Sequence, residues 1–330
     1  MLEAVNIHKC FIRNENTGIF RRRKQTKVNA VNGIDISIQP GQIIGLLGVN
    51  GAGKTTTIKM LAGLIKPTAG SISIDGINGV EHPNEIKKII NMISGGERNI
   101  YWRLTAKENL EYFGALYNLK KEEINAYAVK ALDLVGLSDV KDIPVEQYSK
   151  GMKQRLQIAR GLINNPKYIF LDEPTLGLDV SIARDMRKYI LSLVKNENKG
   201  ILLTSHYIAE VEELCDYVYI LENGKIIASG LPSQIARMIQ KGIKVVISVL
   251  HLPDDTLVRL QEFAAPHNAD LNLDRNDSEV IITLQAQADL SIPLVSLLIG
   301  DNLQILQMAV SEPSLEDALI HLAMEASHLE

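Results

Sequence analysis

The chain has 330 residues, 46% hydrophobic and 22% charged, which allows one large or two ordinary packed domains and excludes a globally disordered chain. Its formal net charge of −4 hides an asymmetry, with 4 Lys/Arg against 14 Asp/Glu from Lys241 onward and 31 against 25 before it. That shift predicts a domain boundary near residue 240, and the basic excess of the longer part is too small for its length to suggest nucleic acid, so none is expected as a partner. No charged-apolar-small leader opens the chain, and the longest apolar stretches, such as Leu290–Gly300, fall short of the ~20 residues that span a bilayer. Cys10 and Cys215 lie far apart with no metal-ligand spacing, so reduced thiols in a cytoplasmic protein are expected.

In chain order, residues 2–8 and 28–39 alternate as strands and end at the Pro40-Gly41 turn. Between them, Arg13, Arg21, Arg22, Arg23, Lys24 and Lys27 stand against the single acid Glu15. This insert reads as a solvated hairpin tip, with contact to anionic lipid or an acidic partner surface as the alternative. An apolar run, Gln42–Leu47, reads as a buried strand, and a helix is expected from Thr55 to Leu64, stopped by Lys66-Pro67. Between strand and helix, Gly48–Thr56 reads G-V-N-G-A-G-K-T-T and matches the phosphate-binding pattern G-x-x-x-x-G-K-[ST]. Strand, Gly-rich turn and helix together aim backbone N–H groups and a helix N-terminus at a polyphosphate. Gly48, Gly51 and Gly53 permit close backbone approach, Lys54 can reach the outer phosphates, and the Thr55 hydroxyl can hold Mg²⁺.

Ser71–Asp75 is a further short strand, and residues 105–164 are mostly helical by periodicity. Thr105-Ala-Lys-Glu108 has the spacing of a capping box, and Lys120–Val135 repeats apolar residues at helical intervals until Gly136. This helical block, wedged between strands, predicts a subdomain inserted into an α/β core. Within it, Tyr148-Ser149-Lys150-Gly151-Met152 places Ser149 as an N-cap; on these letters alone it is ordinary capping, though it offers a second helix N-terminus for phosphate. Tyr168–Leu171 is β-rich and runs into Asp172-Glu173. With the phosphate loop on a neighbouring strand, Asp172 fits a Mg²⁺ water shell, and Glu173, pointing differently, can orient or deprotonate an attacking water. A helix over 181–195, a strand over 201–204 ending at Ser205-His206, and two strands flanking the Asn223-Gly224 turn complete an alternation typical of a largely parallel sheet. Beyond residue 240, strands at Lys244–Leu250 and Glu279–Leu284 with helices near 255–264 and 314–326 predict a small α+β appendage.

Taken as an ordered set, these motifs resemble the ATP-binding cassette (ABC) ATPases: Gly48–Thr56 as phosphate loop, Tyr148–Met152 as signature, Tyr168–Glu173 as second Walker motif, Leu178-Asp179 as D-loop and His206 as switch histidine. The resemblance covers roughly residues 1–235. It implies an α/β P-loop NTPase core with an inserted helical subdomain (about 97–164) and an antiparallel β subdomain, followed by a C-terminal α+β accessory domain over 240–330. It further implies an ATP hydrolase using Mg²⁺ and acting as a head-to-tail homodimer, each ATP lying between the phosphate loop of one copy and the signature of the other. Residue by residue, Phe11 would stack on adenine; Asn50, Gly51, Ala52, Gly53, Lys54, Thr55 and Thr56 would hold phosphates; Ser149 and Gly151 would meet the γ-phosphate in trans; and Asp179 would cross the interface. Thr55 and Asp172 would bind the metal, and Glu173, His206 and Lys54 would carry the chemistry.

The sequence departs from the family in two places. Lys150 and Met152 stand where the usual L-S-G-G-Q signature has glycine and glutamine, and Gly96, beside Glu97, stands where a metal-binding glutamine is usual. The wording G-G-E-R-x-x-Y-W-R-L-T, the basic insert and the ending Glu312-Pro-Ser-Leu-Glu-Asp317 resemble ATPase subunits of ABC-2-type exporters. That implies a separate integral-membrane permease, a place on the inner face of the cell membrane, and a position for Trp102 where the permease would dock, with simple packing of Trp102 as the alternative. A soluble cassette protein acting on ribosomes or in cofactor assembly is the rival reading.

Overall fold

In the computed structural model, which describes residues 1–15, 24–94, 100–205, 207–239, 242–276, 279–311 and 315, the chain divides into two units, Met1–Leu231 and Pro232–Glu330. The first opens with a long antiparallel hairpin, β1 (Leu2–Glu15) and β2 (Lys24–Ile38). Pairing runs on through Phe11↔Val28 to Glu15↔Lys24, further into the basic insert than the alternation of apolar residues indicates. Antiparallel pairing needs only backbone groups, so a ribbon without a buried face leaves no period-2 signature. The rest of the insert, residues 16–23, lies outside the described residues.

β3 (Ile43–Leu47), buried along its length, leads through the Gly-rich loop into α1 (Lys54–Leu61). The helix stops short of the expected Lys66-Pro67: Gly63 N–H donates to Met60 O and Leu64 N–H to Lys59 O, the paired bonds of a glycine-terminated helix, with Gly63 at φ 63°. β4 (Ala69–Ile74) and β5 (Ile77–Asn78) complete a four-stranded sheet of order β2-β1-β4-β5. Next come α2 (Pro83–Ile89), β6 (Ile90–Ser94) and the helical insert, α3 (Ala106–Leu116), α4 (Lys121–Leu134) and α5 (Lys150–Leu162). The capping box at Thr105 is reciprocal: Glu108 N–H donates to Thr105 Oγ1 at 3.1 Å and Thr105 N–H to Glu108 Oε2 at 2.7 Å.

β7 (Tyr168–Asp172), α6 (Val180–Glu197), β8 (Gly200–Thr204), α7 (Ile208–Leu214), β9 (Tyr217–Glu222) and β10 (Lys225–Gly230) finish the unit. Its central sheet has the order β10-β9-β3-β8-β7-β6, parallel except for the β9–β10 hairpin. Asn223 (φ 47°) and Gly224 (φ 76°) supply the left-handed pair that this hairpin turn requires. One expectation is corrected: β7 does not adjoin β3, because β8 lies between them. Parallel strands need crossovers, and the return through α6 inserts β8 beside the phosphate-loop strand. The loop and Asp172 nevertheless both follow the carboxyl ends of strands in one parallel sheet, where α/β proteins bind ligands.

The second unit starts with α8 (Pro232–Ile239). It continues through β11 (Ile243–Val249), α9 (Asp254–Ala264), β12 (Asp270–Arg275), β13 (Val280–Ala286), α10 (Ser291–Gly300) and β14 (Ile305–Ser311). All pairings are antiparallel in the order β12-β13-β11-β14, the split β-α-β arrangement of ferredoxin-like folds. Its core joins Val245, Ile247 and Val249 to Ile282, Leu284, Leu260, Leu294 and Leu298. The helix expected near 314–326 lies outside the described residues apart from Leu315. No helix among the described residues is long and apolar enough to cross a membrane.

Candidate nucleotide-binding site

The phosphate loop is shaped by where a side chain cannot be. At Gly53 (φ 107°) a Cβ would stand 2.4 Å from Ala30 O, so the backbone lies flush against β2. At Gly51 (φ 87°) a Cβ would meet nothing within 4 Å, leaving open space against the loop. The Ala52 N–H closes a turn onto Val49 O at 3.1 Å. Asn50 and Thr55 are exposed, Thr56 is half-buried and Ala52 is buried.

Lys54, only 8% exposed, folds its ammonium back over the loop, donating to the carbonyls of Gly48 at 2.6 Å and Val49 at 3.0 Å. Burial lowers its pKa, while the negative charges of Glu173 and Asp172 push the other way. The lysine therefore sits in the field of both acids, and the two motifs form one site although a strand separates β3 from β7.

Both acids are set by a residue that sequence reasoning missed. Thr204, the buried last residue of β8, donates its hydroxyl to Asp172 Oδ1 at 2.7 Å. The Glu173 N–H donates to Thr204 O at 3.0 Å and lies 3.2 Å from its Oγ1. Glu173 itself has φ 55°, a left-handed conformation that costs a non-glycine residue about 1–2 kcal/mol. The turn breaks the strand alternation at the point where the two acids need different directions. The one local signal for Thr204 was its place at the end of the strand before Ser205-His206.

Ser149 caps α5 as expected, its Oγ accepting from Met152 N–H at 3.2 Å. Ser149 and Lys150 are exposed, and Gly151 is buried against α6, where a Cβ would stand 2.5 Å from Ile182 Cδ1. Gln154 Nε2 donates to Pro174 O at 2.8 Å, tying α5 to the chain just past Glu173. Asp179 is exposed at the start of α6 and makes no side-chain capping bond. Phe11 is 42% exposed, with the Lys9 ammonium 5.2 Å from its ring centroid. Trp102, 48% exposed, carries Lys153 Nζ 4.3 Å from its ring centroid, a cation–π contact. His206, Gly96 and Glu97 lie outside the described residues. Lys54, Asp172 and Glu173 are thus brought together, while Ser149 and Gly151 face α5 itself and α6.

Residues 31–176 match the ABC transporter family. The chain is 44% identical over 207 residues to the ABC transporter ATP-binding protein NatA of Bacillus subtilis (strain 168), covering 63% of this chain and 84% of that one. It is 31% identical over 325 residues to the linearmycin resistance ATP-binding protein LnrL of the same organism, covering 98% of each. Its fold matches a dimeric ATP-binding cassette solved in a post-hydrolysis state with ADP and Pi, at a TM-score of 0.60 and 24% identity over 70% of this chain and 98% of that one. A phosphate loop with its lysine, two acids at the carboxyl end of a strand in the same parallel sheet, and these matches together place the chain in the ABC transporter family, as an ATP-binding subunit that hydrolyses ATP to power transport.

Proposed function

We propose that the chain is the ATPase subunit of an ABC-2-type exporter, working as a homodimer beside a separate integral-membrane permease on the inner face of the cell membrane. The observation that carries the catalytic part is the Lys54 ammonium, held over the phosphate loop in the field of Asp172 and Glu173. Backbone N–H groups over Asn50–Thr56 receive the phosphates in the open space beside Gly51, and Lys54 exchanges its two loop carbonyls for phosphate oxygens. The half-exposed Phe11 ring offers a face for adenine.

Thr55 and Asp172 supply the hard oxygen donors that suit Mg²⁺, and Thr204 orients the carboxylate. A Mg²⁺ ion held by these residues would supply neutralisation of phosphate charge. Glu173 positions or deprotonates the attacking water, and His206 binds the γ-phosphate near it. The α5 N-terminus at Ser149 and Gly151 completes the site of a second copy, with Asp179 crossing between copies. The exposed Ser149 and the dimeric state of the solved cassette described above support this pairing. Export rests on the exporter-like wording around Trp102 and on a relative named for linearmycin resistance, a property that removal of that compound from the cell would provide.

Glu173→Gln keeps the shape of the side chain and removes its basicity, so ATP with Mg²⁺ should hold that variant as a dimer by size-exclusion chromatography. A variant that stays monomeric with ATP bound overturns the head-to-tail arrangement. Failure of the chain to co-purify with any polytopic membrane protein from detergent-solubilised membranes overturns the exporter assignment.

A further inference from the structure

Glu210 on α7 is 2% exposed, an unusual place for a carboxylate. Its Oε2 accepts two hydroxyl bonds, from Ser205 Oγ at 2.5 Å and Thr175 Oγ1 at 3.0 Å, while its Oε1 is buried without a hydrogen bond. Ser205 Oγ in turn accepts from Tyr207 N–H at 3.0 Å. Thr175 lies two residues past Glu173, and Ser205 and Tyr207 flank His206. One carboxylate oxygen therefore joins the loop after β7 to the loop after β8. It forms a second tie beneath the one that Thr204 makes to Asp172 and Glu173. Facing charges come from α6, where Arg187 pairs with Glu213 at 2.8 Å on the rim of the same region.

Burial pushes the Glu210 carboxyl above its usual range, and a buried oxygen without a bond disfavours the folded state. An apolar residue of similar size would suit packing alone at least as well. The placement makes sense if the two hydroxyl bonds matter for what the loops carry.

We propose that Glu210 is a positioning residue for ATP hydrolysis, clamping Thr175 and Ser205 so that the loop carrying Glu173 keeps its placement against the end of β8. The proposal rests on the role given above to Glu173. Displacing reacting groups by a fraction of an ångström slows turnover without altering how the phosphate loop grips nucleotide, so the effect falls on kcat.

The test uses the full chain, with steady-state ATPase kinetics, ATP affinity and thermal stability measured in parallel. Glu210→Ala should lower kcat by about tenfold or more and leave KM for ATP within about twofold. Glu210→Gln retains an oxygen that accepts both hydroxyls and should recover kcat to within about threefold of the native chain. Thr175→Val, which removes one hydroxyl without a large change of shape, should lower kcat alone and add little on top of Glu210→Ala. Native kcat in Glu210→Ala, or a Glu210→Gln as slow as Glu210→Ala, overturns the clamp. If Glu210→Ala fails to fold, Thr175→Val carries the test, and native kcat there is fatal to the idea. Glu173→Gln serves as control: if it hydrolyses ATP normally, the roles assigned to the catalytic loops fail, whereas an inactive control beside a native-like Glu210→Ala sinks the clamp alone.

Discussion

The Lys54 ammonium donates to the carbonyls of Gly48 and Val49, and in the function proposed above it also serves the phosphates. Lys54→Ala removes both, leaving two carbonyls unpaired and the outer phosphates without their cation. ATPase activity should fall by at least about 100-fold, and titration with ATP should show weakened binding; native turnover in this variant would remove the loop from the mechanism. That Lys54, Asp172 and Glu173 would come together was legible because each stands at or shortly past the end of an apolar strand. Thr204 and Glu210 were not: each acts through a hydroxyl or carboxylate bond to another strand or loop, and such partners have no fixed spacing in sequence.

At the level of elements, legibility followed periodicity and end signals. α4 and α6 show one apolar face, and the Thr105 box marks its helix start to the residue. α10 was hidden because Ser291–Gly300 is apolar almost throughout; Leu294 and Leu298 are buried while Ile292 and Ile299 are exposed, a distinction that composition does not draw. β14 lacks a clean alternation, β12 alternates only two leucines, Leu271 and Leu273, with polar residues over a short span, and the order of the parallel strands depends on crossovers that no local pattern encodes. The box also bears on the insert's stability. Thr105→Ala leaves the Glu108 N–H without its hydroxyl partner, and should destabilise the first unit by about 1 kcal/mol, seen as a lower denaturant midpoint with an unchanged slope. A midpoint equal to that of the native chain would show that water replaces the cap at no cost.

Across the whole molecule, the architecture changes between Leu231 and Pro232, and the acidic stretch counted from Lys241 lies inside the second unit. The chain passes from a parallel sheet with a phosphate loop to an antiparallel split β-α-β sheet with its own core. Composition revealed that a second region exists but not its topology, since strand order arises from pairings between distant segments. Because the residues assigned to nucleotide all lie within Met1–Leu231, a chain ending at Leu231 should still bind ATP with an affinity within about threefold of the intact protein. Calorimetric titration measures this, and a folded truncation that no longer binds would make the second unit part of the nucleotide site.

The left-handed backbone at Glu173 has an evolutionary consequence. Glycine alone occupies that conformation without steric penalty, so Glu173→Gly relieves strain of about 1 kcal/mol while deleting the acid assigned to the attacking water. At this position thermal robustness and turnover pull in opposite directions. A library sorted only for survival of heating would therefore accumulate inert chains, and mutational tolerance at residue 173 becomes a record of whether selection acted on folding or on work.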